Sequence, residues 1–459
     1  MTNHNLSLLA SQGQRFLLLQ GPIGNFFADL SKWLTAQGKH VVKVNFNGGD
    51  EHYYPGSKIK HTYGYHDVPE NFRSFLTYLV QKEQIDSIVC FGDCRFYHRQ
   101  AKALAKELGL NFWVFEEGYY RPFYITLEKD GVNAYSPLPR EASFFAEHNE
   151  HHTKPASKSP GGGFLPMLKV AVIYYIFMWW HKSEYKYYKH HRASGFWFYI
   201  KSWLKALWRY WFNYPLERWL RKRIEDREYN NFFVFPLQMS IDSQIKVHSK
   251  KKSIEAYISY VLSSFAKHAP RDSKLILKHH PLDRGFNNYR KYIKQEIARY
   301  PSLRGRVTYI QGLALPILMR KALGVIVVNS TSGMSSLIHH LPTYVLGEAS
   351  YNIAGLTYQG SLDDFWTKGT PPDEELEKAY RFYHLYHTQI NGNFYTKVFL
   401  EDFLATVQAE QEEQTASTAQ DANAEQTANT AQTGNIAQTV KAEQATNAQA
   451  TNVQTTNTK

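Results

Sequence analysis

The chain has 459 residues, 43% of them hydrophobic and 20% charged, which is enough to form two packed domains. Its formal net charge of +12 favours an anionic partner, whether a nucleic acid, an acidic lipid surface or a phosphorylated substrate. With only two cysteines, Cys90 and Cys94, a disulfide framework and a four-cysteine zinc site are excluded, so we expect a reducing compartment.

The first part of the chain alternates predicted strands and helices. Residues 1–11 are polar and show no export signal, so we expect the protein to stay in the cytoplasm. Short apolar runs then predict strands at 15–19, 41–45, 87–91 and 111–115, with amphipathic helices at 26–36 and 99–108 between them. This alternation predicts that residues 1–150 form a Rossmann-like half with a parallel sheet covered on both faces.

An insert rich in aromatic and basic residues, 164–229, follows a Pro/Gly/Ser-rich linker at 154–163. Its apolar run at 170–180 is shorter than the roughly 20 residues that cross a bilayer. Aromatic and basic residues mixed on helices favour contact with lipid headgroups, and the alternative is ordinary packing between two domains. The insert holds seven of the ten tryptophans: Trp179, Trp180, Trp197, Trp203, Trp208, Trp211 and Trp219.

A second series of strands is predicted at 231–235, 274–278, 307–310, 324–328 and 343–346. It places a C-terminal Rossmann-like half at 230–405. The predicted fold class is therefore α/β, with two Rossmann-like halves facing a cleft and a helical insert between them. Residues 406–459 are rich in Ala, Gln, Thr and Asn, and we expect this tail to be disordered.

Two adjacent carboxylates, Glu116 and Glu117, follow the predicted strand at 111–115. Open α/β sheets bind ligands at the carboxyl ends of their strands, and crowding raises the pKa of one of two neighbouring carboxyl groups. The pair is therefore a candidate acid/base. The alternative is a solvated acidic turn without chemistry.

A second pair of polar residues, Gln238 and Asp242, follows the strand at 231–235. Asp242 is a candidate nucleophile or base, and Gln238 is a candidate ligand for a sugar hydroxyl or carboxylate. A capping Asp beside a surface Gln explains the same spacing equally well.

The strand at 274–278 ends in Lys278-His279-His280-Pro281. Successive side chains of a strand point to opposite faces, so the two histidines face different surroundings. We place His280 in the site as a donor to a leaving phosphate, with Lys278 adding charge, and His279 in the scaffold.

Two turns are candidate ligand loops. Asn329-Ser330-Thr331-Ser332-Gly333 leads from a strand into a helix and offers hydroxyl and backbone N–H groups to a phosphate or carboxylate, a role that is compatible with simple capping of the helix. Gln20-Gly21-Pro22-Ile23-Gly24 matches neither G-x-G-x-x-G nor the P-loop, which argues against ATP-driven chemistry. We place this second turn on the acceptor side of the cleft.

Taken in order, these motifs resemble the capsule polysaccharide biosynthesis family of β-Kdo transferases, in its single-module KpsS/LipB type. The resemblance covers about residues 15–406 of the chain. It implies a GT-B-like fold, CMP-Kdo as the donor substrate and phosphatidylglycerol or its lyso form as the acceptor. We expect no metal or cofactor, because CMP is already a good leaving group. The product would begin the poly-Kdo linker of a capsular polysaccharide. The resemblance rests on Gln20-Gly-Pro, Glu116-Glu-Gly-Tyr with Arg121-Pro and Ile125-Thr-Leu-Glu, Gln238-x-x-x-Asp242, His280-Pro281 and Asn329-Ser-Thr-Ser-Gly333.

The resemblance also implies roles for single residues. Glu116 or Glu117 is the acid/base, Asp242 is the nucleophile of a retaining double displacement, and His280 stabilises the departing CMP phosphate. Ser330 and Ser332 hold a phosphate or the Kdo carboxylate. The other donor-side residues are Gln238, Lys278, Pro281, Asn329, Thr331 and Gly333, and the acceptor-side residues are Gln20, Gly21, Pro22, Gly24 and Arg121.

These interpretations imply an anionic phospholipid partner and a peripheral position on the inner membrane surface. Further implied partners are the tandem-module Kdo transferase and the capsule export machinery. Two other functions stay open: another CMP-sugar transferase of the sialyltransferase kind, and a non-catalytic lipid-binding scaffold for capsule assembly or export. We expect no nucleic-acid partner, because no nucleic-acid module is recognisable and carboxylates at strand ends repel phosphate backbones.

Overall fold

The computed structural model of the chain describes residues 4–150, 153–190, 196–226, 229–239 and 253–400. By their internal contacts, all of these residues belong to one unit, Asn3–Leu400. Two of the sequence predictions, the nucleophile Asp242 and the disordered tail at 406–459, lie outside the described residues.

The first Rossmann-like half contains a mostly parallel sheet of seven strands within the described residues, six of them from 15–129 and one from 389–391. Its strands are β1 (Arg15–Leu18), β2 (His40–Asn45), β3 (Thr62–Gly64), β4 (Ser87–Phe91), β5 (Asn111–Glu117), β6 (Tyr124–Lys129) and β12 (Gln389–Asn391). Their order is β12-β6-β5-β4-β1-β2-β3. The strands from β1 to β5 pair in parallel, while β6 and β12 extend one side of the sheet in antiparallel pairing. The parallel strands β1, β2, β4 and β5 are buried on both faces, which is why they are largely apolar runs in the sequence.

Helices cover both faces of this sheet. In the described part of the first half they are α1 (His4–Gln12), α2 (Phe26–Ala36), α3 (Gly48–Tyr53), α4 (Phe72–Lys82), α5 (Phe96–Leu108) and α6 (Ala142–Glu147). Leu76 of α4 and Leu104 of α5 lie in one buried cluster with Val44 and Val114 of the strands. α5 ends at Gly109, whose φ of +68° is a left-handed conformation that glycine adopts without strain.

The second half forms a five-stranded sheet that is parallel throughout. Its strands are β7 (Phe232–Pro236), β8 (Lys274–Lys278), β9 (Val307–Ile310), β10 (Gly324–Val327) and β11 (Thr343–Val345), in the order β11-β10-β7-β8-β9. The described helices of this half are α9 (Ile254–His268), α10 (Arg290–Arg299), α11 (Leu315–Met319), α12 (Ser332–Ile338), α13 (Leu362–Lys368) and α14 (Glu374–His387). Crossover helices between parallel strands make this a second Rossmann-like half.

The predicted fold class, an α/β chain of the GT-B-like kind with two Rossmann-like halves and a helical insert, is confirmed. All nine predicted strands are present. The structure adds β3, β6 and β12. Of these, β12 lies within the predicted C-terminal half, 230–405, but belongs to the sheet of the first half. Residues Gln389–Asn391 leave the second half and pair with β6 of the first sheet, while α14 packs against α6 and α1. The end of the described chain therefore ties the two halves together.

The insert consists of two helices in its described part, α7 (Phe164–Trp180) and α8 (Phe196–Glu225). α7 packs on α3 of the first half, where the buried ring of Tyr174 lies against Gly49 and Phe177 stacks on His52 with 3.9 Å between ring centres. α8 packs on the second half, where Leu220 and Ile224 join the apolar cluster beneath β7 and β8. Within the described residues, neither these helices nor any other is both long and apolar enough to cross a bilayer.

Candidate active site

The two predicted acid/base residues lie at the carboxyl end of β5 and point to opposite faces of the sheet. Glu117 Oε1 accepts a hydrogen bond from the hydroxyl of Tyr395 at 2.9 Å, and Glu117 Oε2 lies 4.0 Å from Nε of Arg121. Glu116 Oε1 accepts the backbone N–H of Glu117 at 3.0 Å. A β carbon built on Gly92, the residue after β4, would lie 3.4 Å from Glu116 Oε2. The two carboxylates are thus in different surroundings.

Burial raises the pKa of Glu116 to about 7. The neighbouring charge of Glu117 raises it further, while the hydrogen bond from the Glu117 backbone N–H and the charges of Arg95 and Arg121 lower it. The sequence predicted a raised pKa in one carboxyl of the pair through crowding, and the structure gives burial as the larger cause. A carboxyl group with a pKa near 7 exchanges protons at neutral pH, as an acid/base catalyst must.

Arg95 is a candidate site residue that lies outside the sequence motifs. It follows β4 at the same edge of the sheet at which Glu116 ends β5. Its Nη1 donates to Oε1 of Gln20 at 2.9 Å, and its guanidinium lies 5.1 Å from the ring centre of Phe91. The sequence could have indicated Arg95, because it comes four residues after the end of the predicted strand at 87–91, where ligand-binding residues are expected. This guanidinium brings a positive charge to the edge that carries Glu116, and such a group pairs with carboxylates and phosphates.

Gln20, predicted to bind the acceptor, is buried, with 3% of its surface exposed. Its Nε2 donates to Oδ2 of Asp50 at 3.1 Å and to the hydroxyl of Tyr188 at 2.8 Å, while its Oε1 accepts from Arg95. Asp50 also accepts a hydrogen bond from Tyr174 of α7 at 2.9 Å. Both the Nε2 and the Oε1 atom of Gln20 are therefore hydrogen-bonded within the protein. In this structure the side chain holds Arg95 in place.

The two glycines of the same turn serve packing. A β carbon on Gly21 would lie 2.8 Å from the ring of Phe27, and Gly24 has a φ of +120°, which favours glycine. Together with the buried Pro22, both glycines line a cavity of about 20 Å³, which holds one water molecule at most. In this structure the predicted acceptor turn is closed against α7. Arg121, the remaining predicted acceptor residue, is 54% exposed beside Glu117.

In the second half, the ends of β7 and β10 are joined by a side-chain pair. Nε2 of Gln238 donates to Oδ1 of Asn329 at 2.6 Å. The hydroxyl of Ser330 donates to that of Ser332 at 3.0 Å and accepts the Ser332 backbone N–H at 3.2 Å. Thr331 precedes α12 and makes no side-chain capping bond. The predicted donor residues of this turn are thus brought together, with their hydroxyl groups side by side.

Gly333 and Tyr351 fix the position of this turn. A β carbon on Gly333 would lie 2.4 Å from the ring of Tyr351, and the Tyr351 hydroxyl donates to the backbone oxygen of Ser330 at 2.5 Å. Tyr351 belongs to a buried cluster that also contains Met334 of α12 and Tyr119 of the first half. Tyr119 lies two residues after Glu117, so one apolar cluster supports the candidate loops of both halves.

In the Lys278-His279-His280-Pro281 segment, the first two residues are buried and His280 is partly exposed. His279 is fully buried, its Nδ1 is 2.9 Å from the hydroxyl of Tyr309, and burial lowers its pKa to about 3, so it is a neutral scaffold residue. Lys278 is also buried; its Nζ donates to the backbone oxygen of His279 at 2.8 Å, and burial lowers its pKa to about 8. Lys278 therefore stabilises strand ends inside the second half.

His280 is partly exposed at the start of the 3₁₀ turn Pro281–Asp283. Its Nδ1 accepts the backbone N–H of Leu282 at 3.2 Å. A neutral imidazole whose Nδ1 accepts carries its proton on Nε2, which then acts as a donor. This tautomer suits a histidine that donates a hydrogen bond to an oxygen anion.

The structure thus brings the predicted residues into two groups at strand carboxyl ends. One group contains Glu116, Glu117 and Arg121 in the first half, and the other contains the Gln238–Asn329 pair with the serine turn in the second. A separate cavity of about 490 Å³ opens between α3, β3 and α7, and its lining includes none of the predicted site residues.

A family profile described as "Capsule polysaccharide biosynthesis protein" matches residues 86–395. The chain is 48% identical over 399 residues to "Capsule polysaccharide modification protein LipB" of Neisseria meningitidis serogroup B, which covers 86% of this chain and 95% of that protein. It is 39% identical over 395 residues to "Capsule polysaccharide export protein KpsS" of Escherichia coli, covering 86% of this chain and 100% of that protein.

Among solved structures, the chain is similar to "Thermosulfurimonas dismutans KpsC, beta Kdo 2,7 transferase", with a TM-score of 0.40 and 13% identity. That match covers 86% of this chain and 99% of the other.

Proposed function

The chain belongs to the capsule polysaccharide biosynthesis family, in its KpsS/LipB type, and on this premise we propose that it is a retaining β-Kdo glycosyltransferase. The proposed reaction moves Kdo from CMP-Kdo to phosphatidylglycerol or its lyso form and so starts the poly-Kdo linker of a capsular polysaccharide. The observation that carries the proposal is Glu116, a half-buried carboxyl group with a pKa of about 7 at the carboxyl end of a parallel sheet.

The proposed reaction has two steps. First, the carboxylate of Asp242 attacks the anomeric carbon of Kdo, and the bond to the CMP phosphate oxygen breaks with both electrons leaving on CMP. Second, the acceptor hydroxyl displaces the Asp242 carboxylate from the same carbon and gives its proton to Glu116. Two displacements at one carbon retain its configuration. Asp242 enters on the sequence motif alone, since it lies outside the described residues.

The donor side of the proposal rests on His280 and the serine turn. Nε2–H of His280 would donate to the phosphate of the departing CMP, because Nδ1 already accepts the backbone N–H of Leu282. The adjacent hydroxyls of Ser330 and Ser332 would hold a phosphate oxygen or the Kdo carboxylate. Charge-assisted hydrogen bonds of this kind stabilise negative charge as it develops on the leaving group.

Helix α8 supports the membrane part of the proposal. Most of the residues that it buries against the protein are polar, and many of the residues that it exposes are aromatic. The helix turns a largely polar stripe toward the protein: Ser202, Asn213 and Glu217 are buried, beside the apolar Leu220 and Ile224. Glu217 is held by the backbone N–H groups at the end of β9, with an oxygen to nitrogen distance of 2.8 Å to Gly312. An ordinary surface helix buries its apolar face instead.

The outward face of α8 is aromatic and basic. Among the residues that the structure describes, 15 of the 22 exposed large hydrophobic side chains lie in the insert, and Trp208, Trp211 and Trp219 are 62%, 65% and 52% exposed. Such a face fits an anionic phospholipid surface, where aromatic rings enter the headgroup layer and basic side chains meet lipid phosphates. The exposed basic residues interleaved with the tryptophans are Lys201, Lys205, Arg218, Arg221 and Lys222.

A flotation assay with vesicles tests the membrane contact. A variant with Trp208, Trp211 and Trp219 replaced by serine should lose binding to vesicles containing phosphatidylglycerol. The control replaces the exposed aromatics Tyr78 (59%) and Tyr260 (41%), which lie outside the insert, by serine and should float like the unmodified protein. Binding should also weaken as salt rises, because ions screen the basic side chains. Equal flotation of the tryptophan variant and its control would reject the membrane role of α8.

A donor competition separates the proposed transferase from the other two functions. The purified protein is offered CMP-Kdo and CMP-sialic acid with a phosphatidylglycerol acceptor, and turnover of CMP-Kdo is expected. Turnover of CMP-sialic acid alone would identify a different CMP-sugar transferase. A non-catalytic scaffold predicts that Asp242→Ala and His280→Ala restore capsule production in a deletion strain as well as the unmodified gene does, whereas the transferase predicts that they fail.

A further inference from the structure

A cluster of three metal-binding side chains lies at the amino edge of the first sheet, opposite the edge that carries Glu116. His40 is the first residue of β2, and His61 directly precedes β3. Glu83 directly follows α4, which leads to β4. Because β2, β3 and β4 are all parallel to β1 or to each other, their starting ends meet at this edge.

The distances within this cluster fit a metal ion. Nε2 of His40 lies 3.1 Å from Oε2 of Glu83, and Nδ1 of His61 lies 3.9 Å from the same oxygen. All three ligand atoms lie within 4.8 Å of one another. A tetrahedral zinc ion with bonds of about 2.0–2.1 Å holds its ligand atoms about 3.3 Å apart. Small rotations of the two imidazoles would therefore close the cluster around one ion.

Neighbouring groups orient the carboxylate and the imidazoles for this role. The hydroxyl of Tyr63 donates to Oε1 of Glu83 at 2.5 Å, which leaves Oε2 directed to the two histidines. Nε of Arg15 donates to the backbone oxygen of Glu83 at 2.6 Å and holds its main chain. Outer hydrogen bonds of this kind fix the direction of metal ligands. His61 adopts a left-handed φ of +56°, a conformation uncommon for residues other than glycine, and this places its ring 4.5 Å from that of His40.

We propose that His40, His61 and Glu83 bind a divalent cation of the zinc class at the amino edge of the first sheet. Two imidazoles and one carboxylate suit zinc and its neighbours, while magnesium and calcium prefer oxygen ligands alone. The ion would join β2, the short edge strand β3 and the end of α4. This is a structural role, since the cluster lies at the other edge of the sheet from Glu116 and takes no part in the proposed transfer.

Zinc titration of the full chain tests this site. The protein is purified without a histidine tag, stripped with a chelator, and titrated with zinc alone by calorimetry, with bound metal counted by elemental mass spectrometry. One zinc ion should bind per chain and raise the melting temperature. His61→Asn removes one ligand while keeping a residue that tolerates the left-handed backbone, and it should weaken zinc binding by at least about tenfold.

Two further variants complete the test. His40→Gln keeps a polar contact with Glu83 but removes the imidazole, and it should weaken zinc binding in the same way. His148→Gln changes an exposed histidine outside the cluster and should bind zinc like the unmodified protein. Cobalt in place of zinc should give visible absorption bands that both cluster variants lose. The proposal is overturned if the unmodified chain binds no stoichiometric zinc, or if His61→Asn and His40→Gln bind it unchanged. In either case, the hydrogen bond between His40 and Glu83 would be the whole role of the cluster.

Discussion

Replacing Glu116 by glutamine should remove the ionisable group that sets the pH dependence of transfer near neutrality. Burial, as the largest cause, raises the pKa of Glu116 to about 7 from its ordinary value of 4.5. As a base, Glu116 would be about one eleventh ionised at pH 6 and about ten elevenths at pH 8, so the rate should rise about tenfold over this interval. Glu116→Gln should lower kcat by about 10²- to 10⁴-fold and abolish this rise.

Initial rates between pH 5.5 and 8.5, with saturating CMP-Kdo and a short-chain phosphatidylglycerol, measure both effects. Glu117→Gln is the matched control. It should keep a pH-dependent rise because Glu116 is still present, and the rise should move to lower pH because the charge of Glu117 raises the pKa of Glu116. A measurement of stability at pH 8 distinguishes the loss of the catalytic group from a folding defect. Since the folded-state pKa of Glu116 lies above its unfolded value, its contribution to stability falls as pH rises from about 4.5 to 7, so Glu116→Gln should be no less stable at pH 8. If Glu116→Gln keeps the pH-dependent rise and Glu117→Gln loses it, the assignment is refuted.

Three further substitutions probe the surroundings of the site. Burial raises the pKa of Glu116 and Arg95 opposes it, so Arg95→Met should move the rise in rate to higher pH in the same assay. His280→Asn keeps an acceptor for the turn but removes the Nε2 donor, so kcat/KM for CMP-Kdo should fall by about tenfold or more at an unchanged melting temperature. Gly333→Ala forces a β carbon to 2.4 Å from the Tyr351 ring, so calorimetry should show a loss of about 1–3 kcal/mol in unfolding free energy.

The sheet strands were predictable from the sequence wherever they are apolar and buried on both faces. The three strands that the sequence did not reveal have different reasons. β3 and β12 are only three residues long and carry polar residues, so no apolar run marks them. β6 alternates apolar and polar residues within a stretch interpreted as a motif. Its partner β12 lies more than 250 residues away in sequence, and such long-range pairing leaves no local pattern.

For the candidate site, the sequence located polar groups at strand ends. It could not show which of these groups are buried and hydrogen-bonded to other parts of the protein. Gln20 and Lys278 stand at the correct ends of β1 and β8, yet both are buried and bonded to the protein. The partners that engage Gln20, Asp50 and Tyr188, come from distant parts of the chain. For Glu116, the sequence indicated a position at the end of an apolar strand and a pKa raised by crowding, but it did not reveal that burial is the larger cause of the shift.

Product analysis by mass spectrometry tests the central claim most directly. The purified protein is incubated with CMP-Kdo, generated in the reaction, and a fluorescent phosphatidylglycerol analogue, beside the Glu116→Gln variant. The account predicts a fluorescent product heavier by one Kdo residue with the unmodified protein, and a product formed at least about a hundredfold more slowly with the variant. Release of CMP without a glycosylated lipid, or equal product from both proteins, would contradict it.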